Sequence, residues 1–300
     1  MFDVYKLIFI CLFLALNLKA QDKNSSSEKN DQFLLEENSS TFESTRIING
    51  HSPDVLEKNI LQMKIDHRFG SVTGGIQSLY GLDNSSDIRI GFDYGLSDKI
   101  LLGIGRSKGT GSPYRSLLDG FAKIKLKDQF KNKIPLTISA LLGMSYTYMN
   151  PSSDISEVNN FPNWQHRFAY TSQLLFGYKL ANRLSLALMP TLVHRNYVAA
   201  DDVNSLFSLG GAISIKASNS VSFQLEYYQT FQKEIYRTLY QNALSLGMQY
   251  CTYGHTFSVI LSNCAGLGET QFIPYTSDNW LKGQFRLGFC IERNFKLSNK

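Results

Sequence analysis

Beyond Gln21 the chain has no run approaching 18 consecutive apolar residues, which excludes a bundle of membrane-crossing helices. Cysteine is scarce: four in 300 residues, one of them, Cys11, in the apolar start of the chain. In the strand layout below, Cys251 and Cys264 fall at opposite ends of neighbouring strands. Cys251 and Cys290 share a face but have a strand between them. Two strand spacings come to roughly 9–10 Å, beyond the roughly 7 Å Cα separation a disulfide spans. Neither a disulfide framework nor a cysteine metal site is therefore expected. Charge is sparse and unclustered, with a formal net value of +5, so nucleic acid is not an expected partner. The histidines are too scattered for a metal site. Gly103-Ile104-Gly105 lacks the Gly-Lys-Ser/Thr ending and following helix of a phosphate loop. No cofactor is implied.

What is present begins with a leader. Residues 1–20 carry Lys6, an apolar run from Leu7 to Leu16, and Lys19-Ala20 before Gln21, the pattern of a cleaved signal peptide. Residues 21–41, rich in Ser, Asn, Glu and Lys, read as a disordered periplasmic tail. Residues 42–59 are a lead-in or plug segment. Arg46-Ile47-Ile48 is extended, Asn49-Gly50 marks a turn, and Ser52-Pro53-Asp54 resembles the N-cap of a short helix ending near Lys58. If the segment is a plug, Arg46, Asn49, His51 and Asp54 are its candidate contact residues.

From residue 60 to 297 apolar and polar residues alternate in long stretches. Arg167 to Tyr197 shows this best. Phe168, Tyr170, Ser172, Leu174, Phe176, Tyr178 and Leu180 share one face; Arg167, Ala169, Thr171, Gln173, Gly177 and Lys179 share the other, with Leu175 the large apolar exception. Period-two alternation means a strand between an apolar and a polar medium. A tilted membrane-spanning strand needs roughly 9–11 residues, against about five or six in soluble sheets. About twelve such strands can be laid out, joined alternately by short turns and longer loops, as in outer-membrane barrels. The expected fold is all-β, a transmembrane antiparallel β-barrel of up-and-down meander, with both termini periplasmic. Tyrosines near strand ends suit the interfacial girdles of such barrels; a carbohydrate-stacking loop around Phe161, Trp164 and Trp280 is the alternative.

Several stretches resemble a known family: TRIINGHSPD (Thr45 to Asp54), HRFG (His67 to Gly70), GLDNSSDIRIGFDYGLSDKILLGIGRS (Gly81 to Ser107) and DGFAKIKL (Asp119 to Leu126). They are similar to an outer-membrane β-barrel family of Bacteroidota, domain of unknown function 5777. That resemblance implies a barrel and a cell-outer-membrane location, and carries no catalytic residues.

The polar face places Lys64, Arg68, Arg89, Lys123, Lys125, Arg167, Lys179, Lys216, Lys282 and Arg286 toward the lumen, against Asp66, Asp93, Asp119, Glu226 and Glu292. An open lumen with that excess of cations would favour anions; a filled one would pair them. The leading expectation is a narrow pore or passive channel for small, anionic solutes. The alternative is a non-conducting barrel that binds a periplasmic partner through residues 42–59. A third is an outer-membrane lipid hydrolase, for which His194, with Asn196 and Ser205 or Ser208, is the only candidate base. No catalytic constellation is convincing, so an enzyme is not expected. Outer-membrane lipid and the barrel-assembly machinery are the partners such a fold implies.

Overall fold

The computed structural model describes residues 40–109, 114–131, 135–181 and 183–297. The leader and nearly all of the expected tail lie outside these. Twelve antiparallel strands form a closed barrel: β1 Ile60–Ser71, β2 Ser85–Ser97, β3 Ile100–Lys108, β4 Ser116–Lys127, β5 Thr137–Thr147, β6 Phe168–Leu180, β7 Leu184–Arg195, β8 Ser205–Lys216, β9 Val221–Thr230, β10 Ala243–Thr252, β11 His255–Ser262 and β12 Arg286–Lys296. Each strand pairs with its sequence neighbours, and β1 pairs with β12 to close the wall, Ile60 opposite Lys296 and Ile65 opposite Ile291. Closure leaves no strand edge with unpaired backbone groups, which is what allows a sheet to stand in lipid.

The alternation sorts the two faces cleanly. Ile90, Phe92, Ile104, Leu142, Leu174, Leu188, Leu192, Phe223, Leu246 and Val259 are exposed on the outside. So extensive an exposed apolar surface is stable only against lipid. Among the described residues no helix is long and apolar enough to cross a membrane. The end where β1 begins and β12 ends, here the terminal end, carries the tight turns around residues 98–99, 217–220 and 253–254. The opposite, loop end carries the long connections. One contains α1, the single turn Glu234–Arg237; another contains α2, Glu269–Tyr275.

The interior is not empty. Residues 40–59 fold back from the start of β1 and run inside the wall, with Thr41, Phe42, Ile47, Ile48, Asn49, His51, Ser52 and Asp54 all buried. From the loop end the connection between β11 and β12 also turns inward: Asn263, Cys264, Leu267, Phe272, Ile273 and Thr276 are buried. Between them, Phe42, Ile47, Ile48, Phe272 and Ile273 pack with Leu141, Leu175, Met189, Val193, Leu206, Tyr228 and Ile260 of the wall.

Three local expectations are corrected. Thr41 is not tail: its hydroxyl meets that of Thr137 at 2.9 Å. No helix forms from Pro53 to Lys58. The Ser52 hydroxyl instead donates to the Ser44 carbonyl, and Asp54 accepts the backbone N–H of Thr41 and Phe42 at 3.0 and 2.8 Å. The Ser52 hydroxyl does accept the Asp54 N–H at 3.3 Å, as a cap would, but the Asp54 side chain is committed to the segment's own entry and the turn goes no further. Finally, β12 starts at Arg286; Leu281 and Lys282 belong to a 3-10 turn, Trp280–Lys282, closed by Gly283 in the left-handed region.

Candidate functional site

The lumen is the candidate site, and the segment occupying it is a small hairpin. Ile47 N–H donates to the Gly50 carbonyl at 2.9 Å, Ser52 N–H to the Thr45 carbonyl at 3.1 Å, and Arg46 bridges His51. The Asn49-Gly50 pair turns the chain where the sequence places a turn. Gly50 is required for a different reason than backbone freedom. A Cβ there would lie 1.9 Å from the Tyr228 hydroxyl oxygen, so the tip fits under that ring only as glycine. Three strands away, on β6, a Cβ at Gly177 would lie 2.5 Å from Pro53 Cγ.

The barrel grips this hairpin through charge-assisted hydrogen bonds. Glu226 of β9 accepts the backbone N–H groups of Ile48, Asn49 and Gly50 at 3.1, 3.0 and 3.1 Å, and the Asn49 carboxamide at 3.1 Å. Lys123 of β4 donates to the Thr45 and Ser52 carbonyls at 3.0 and 2.8 Å. Arg68 donates to Asn49 Oδ1 at 2.7 Å. Lys179 reaches the Ser40 carbonyl at 3.0 Å, and Lys216 pairs with Glu43 at 2.9 Å. At the seam between β1 and β12, Lys64 meets Glu292 at 3.2 Å; Lys64 donates to the Thr45 hydroxyl and Glu292 accepts from the Ser44 hydroxyl, both at 2.7 Å. A turn's outward amides form a natural anion receptor, and Glu226 supplies the anion.

The two inserted pieces meet each other. Arg46 Nη1 lies 3.1 Å from Glu269 Oε1 of α2, and His51 Nε2 lies 3.7 Å from the same oxygen. Tyr228 meets Phe272 edge-on at 5.1 Å, and His51 meets Phe121 at 4.4 Å. The space remaining beside Arg46, His51, Arg89 and Glu269 is about 30 Å³. It suits a water molecule rather than a solute; His51 Nδ1 has no hydrogen-bond partner there, and Arg89 Nη1 has none beyond its 3.8 Å ion pair with Asp66. Among the described residues, the hairpin and residues 263–276 fill the middle of the lumen between them.

A family model described as a membrane bound beta barrel domain, domain of unknown function 5777, matches residues 42–295. The chain belongs to that family. The match starts at Phe42, so the inserted hairpin is part of the family's unit along with the strands. Among solved structures the chain is similar to the KdgM porin, at 11% identity and TM-score 0.49, covering 79% of this chain and 99% of that one. It is similar to the KdgM porin in complex with disordered oligogalacturonate, at 10% identity and TM-score 0.48, covering 79% and 99%. It is also similar to the NanC porin, at 10% identity and TM-score 0.48, covering 79% and 100%. No curated protein matches the chain.

Within this family barrel, the sequence-predicted residues divide into three groups. Lys64, Arg68, Lys123, Lys179, Lys216 and Glu226 bind the hairpin directly. Others pair along the wall: Arg89 forms a two-point contact with Asp119 at 2.6 and 3.1 Å, Asp93 lies 3.8 Å from Lys64, and Lys125 lies 3.5 Å from Asp128. At the loop end, Arg286 pairs with Asp278 at 2.7 Å. Arg167 precedes β6 in a 3-10 turn, where it donates to the Thr147 and Met149 carbonyls. Lys282 is exposed at the loop end, away from the lumen. Of the hairpin candidates, Arg46 and Asn49 make the intersegment bonds above, His51 packs among cations and Phe121, and Asp54 ties the hairpin to its own entry.

The sequence also missed the inward turn of residues 263–276. One signal was available. Leu175, which breaks the alternation of β6, is fully buried, as are Met189 and Val193 on the inward face of β7. Large apolar side chains facing inward require something apolar inside. The aromatic trio Phe161, Trp164 and Trp280 is not brought together: Phe161 is buried against Tyr114 and Arg167, Trp164 is exposed against Phe168, and Trp280 stacks on Phe285. Finally, His194 Nδ1 and Ser205 Oγ lie 2.8 Å apart on the lipid-facing side. Asn196 donates to the Gln165 carbonyl instead of orienting the imidazole.

Proposed function

We propose that this protein is an outer-membrane barrel of Bacteroidota, with both termini periplasmic, whose lumen is a narrow passage for small anionic solutes held shut by its own N-terminal hairpin. The observation that carries this reading is what the wall cations touch. Lys123 and Lys179 donate to carbonyl oxygens of the hairpin, Lys64 and Arg68 to its side-chain oxygens, and Lys216 to Glu43. Each could exchange these for a solute carboxylate or for water. The grip is mixed, apolar at Phe42, Ile47 and Ile48 and polar at these cations, and water can solvate the polar part when the hairpin leaves.

The test is conductance in planar bilayers. The full chain is expected to be closed or nearly so. Deletion of 42–59 is expected to open a channel whose reversal potential in a salt gradient shows preference for anions. A correctly folded deletion barrel that passes no current would sink this reading.

A second reading, a non-conducting barrel serving a periplasmic partner, is favoured by occlusion from both ends, since α2 closes the loop end independently. Silence of both the deletion barrel and one also lacking 265–277 would favour it. The lipid-hydrolase reading rests on His194 and Ser205 alone. It lacks an orienting group on the imidazole among the described residues, and phospholipase activity abolished by Ser205→Ala is what it requires.

A further inference from the structure

A second feature lies at the loop end, outside the lumen. Connections from five different hairpins converge on an open pocket of about 310 Å³, at the low end of the roughly 300–1,000 Å³ typical of small-ligand sites. Arg115, Asn159, Asp202, Tyr236, Tyr240 and Tyr275 line it. The rings of Tyr236 and Tyr240 are parallel to within 1°, with centroids 6.5 Å apart, and Tyr240 meets Tyr275 edge-on at 5.5 Å.

The platform is held in place from behind. Tyr240 N–H donates to the Tyr236 carbonyl at 2.8 Å, which continues the turn of α1. Arg195 donates to the Tyr275 hydroxyl at 2.9 Å, stacks over its ring at 5.1 Å, and pairs with Asp202 at 3.0 Å. One polar group is left over. The carboxamide oxygen of Asn159, a lining residue, is buried without a hydrogen-bond partner, a rare condition for an amide oxygen, and rotation of the carboxamide toward the pocket would offer it to a ligand hydroxyl.

We propose that this pocket binds a pyranose unit of an oligosaccharide. The C–H face of the sugar rests on the Tyr236–Tyr240 platform, one hydroxyl donates to Asn159 Oδ1, and others meet Arg115 and Asp202. The chemistry of the rim selects this class. Arg115, Glu157, Asn159 and Asp202 put donors and acceptors beside flat aromatic rings, as a ring that is apolar on its faces and hydroxylated at its edge requires. A phosphate or carboxylate ligand would meet one lining cation, Arg115, beside two lining carboxylates, Glu157 and Asp202, a balance that disfavours an anion. A lipid chain would need a continuous apolar wall, which the rim interrupts. The ring could belong to a free saccharide or to lipopolysaccharide on the cell's own surface.

The test titrates the full-length barrel in detergent by calorimetry with maltohexaose, cellohexaose, mannohexaose and xylohexaose, and separately with purified lipopolysaccharide. At least one probe is expected to bind. Tyr240→Ala is expected to weaken it by about fivefold to tenfold, and Asn159→Leu to weaken it with the platform intact. Tyr253→Ala, at an exposed turn of the terminal end, should leave binding unchanged. Retention of the heat-modifiable folded band on gels establishes that each variant is a barrel, and Asn159→Leu carries the test should Tyr240→Ala not fold. Binding of hexaoses assigns a free saccharide, and binding of lipopolysaccharide alone assigns the cell's own surface. Failure of every probe, or wild-type affinity in both pocket variants, overturns the proposal. Conductance does not enter this test, so its outcome is separate from that of the gated-passage reading.

Discussion

One oxygen of Glu226 serves Asn49 twice, accepting its backbone N–H at 3.0 Å and its side-chain amide at 3.1 Å, while the other takes the N–H groups on either side, of Ile48 and Gly50. Glu226→Gln keeps the shape but points an NH₂ at one of these donors. The expected cost to seating the hairpin is about 2 kcal/mol, in the range for hydrogen bonds to a buried charged group. Arg46, buried in the wild type, should then become a trypsin site in the folded barrel, and intermittent current should appear. Trypsin resistance equal to wild type would show that Glu226 is not the latch.

Gly50→Ala tests the fit beneath Tyr228. The added methyl meets the phenol, and overpacking of this kind costs about 1–3 kcal/mol. Tyr228→Phe removes the nearest clashing atom, so the double variant should recover part of that loss. Urea unfolding of the four proteins in micelles gives the coupling directly; strictly additive effects would contradict the contact.

Arg46 and Glu269 join the hairpin to α2 across the lumen at 3.1 Å. Removing one partner leaves a buried charge, at about 3–5 kcal/mol, whereas removing both restores neutrality. Arg46→Met and Glu269→Gln should each destabilise the closed state, and the double variant should be milder than their sum. Thermal midpoints in one detergent would read this, because Arg46→Met removes the trypsin site.

His51 lies on the hairpin and not on a strand. Burial, then the nearby cations Arg46, Lys123, Lys64 and Arg89, hold its imidazole well below the usual histidine range. The seated hairpin therefore binds fewer protons than the released one, whose His51 titrates near 6.5. Seating is fully favourable above that value and weakens as pH falls through it. Conductance or trypsin cleavage should rise between pH 7.5 and 5 in wild type and stay flat across that range in His51→Gln. A pH response unchanged in His51→Gln would assign it elsewhere.

The barrel itself was legible because period-two alternation is imposed by lipid on one side, residue by residue. Strand ends were less so, since girdle tyrosines and loop-end apolar residues continue the pattern past the last wall hydrogen bond; Leu281 mimics β12 in this way. The hairpin's turn at Asn49-Gly50 could be read locally. Its seat could not, because the partners of Thr45, Asn49 and Ser52 come from strands more than a hundred residues apart in the chain. Lys123 and Glu226 look like any lumen charges until the hairpin lies between them. The inward course of residues 263–276 left only an indirect trace, in the apolar side chains of β6 and β7 that needed something to pack against.

The seam between first and last strands has a further property. Lys64 of β1 and Glu292 of β12 are opposite one another in the ladder, and they hold adjacent residues of the hairpin, Lys64 the Thr45 hydroxyl and Glu292 the Ser44 hydroxyl. A slip of one residue by either strand would turn its own side chain to the lipid face and break its grip on the hairpin. Closure of the wall in register and seating of the hairpin thus depend on the same pair of side chains.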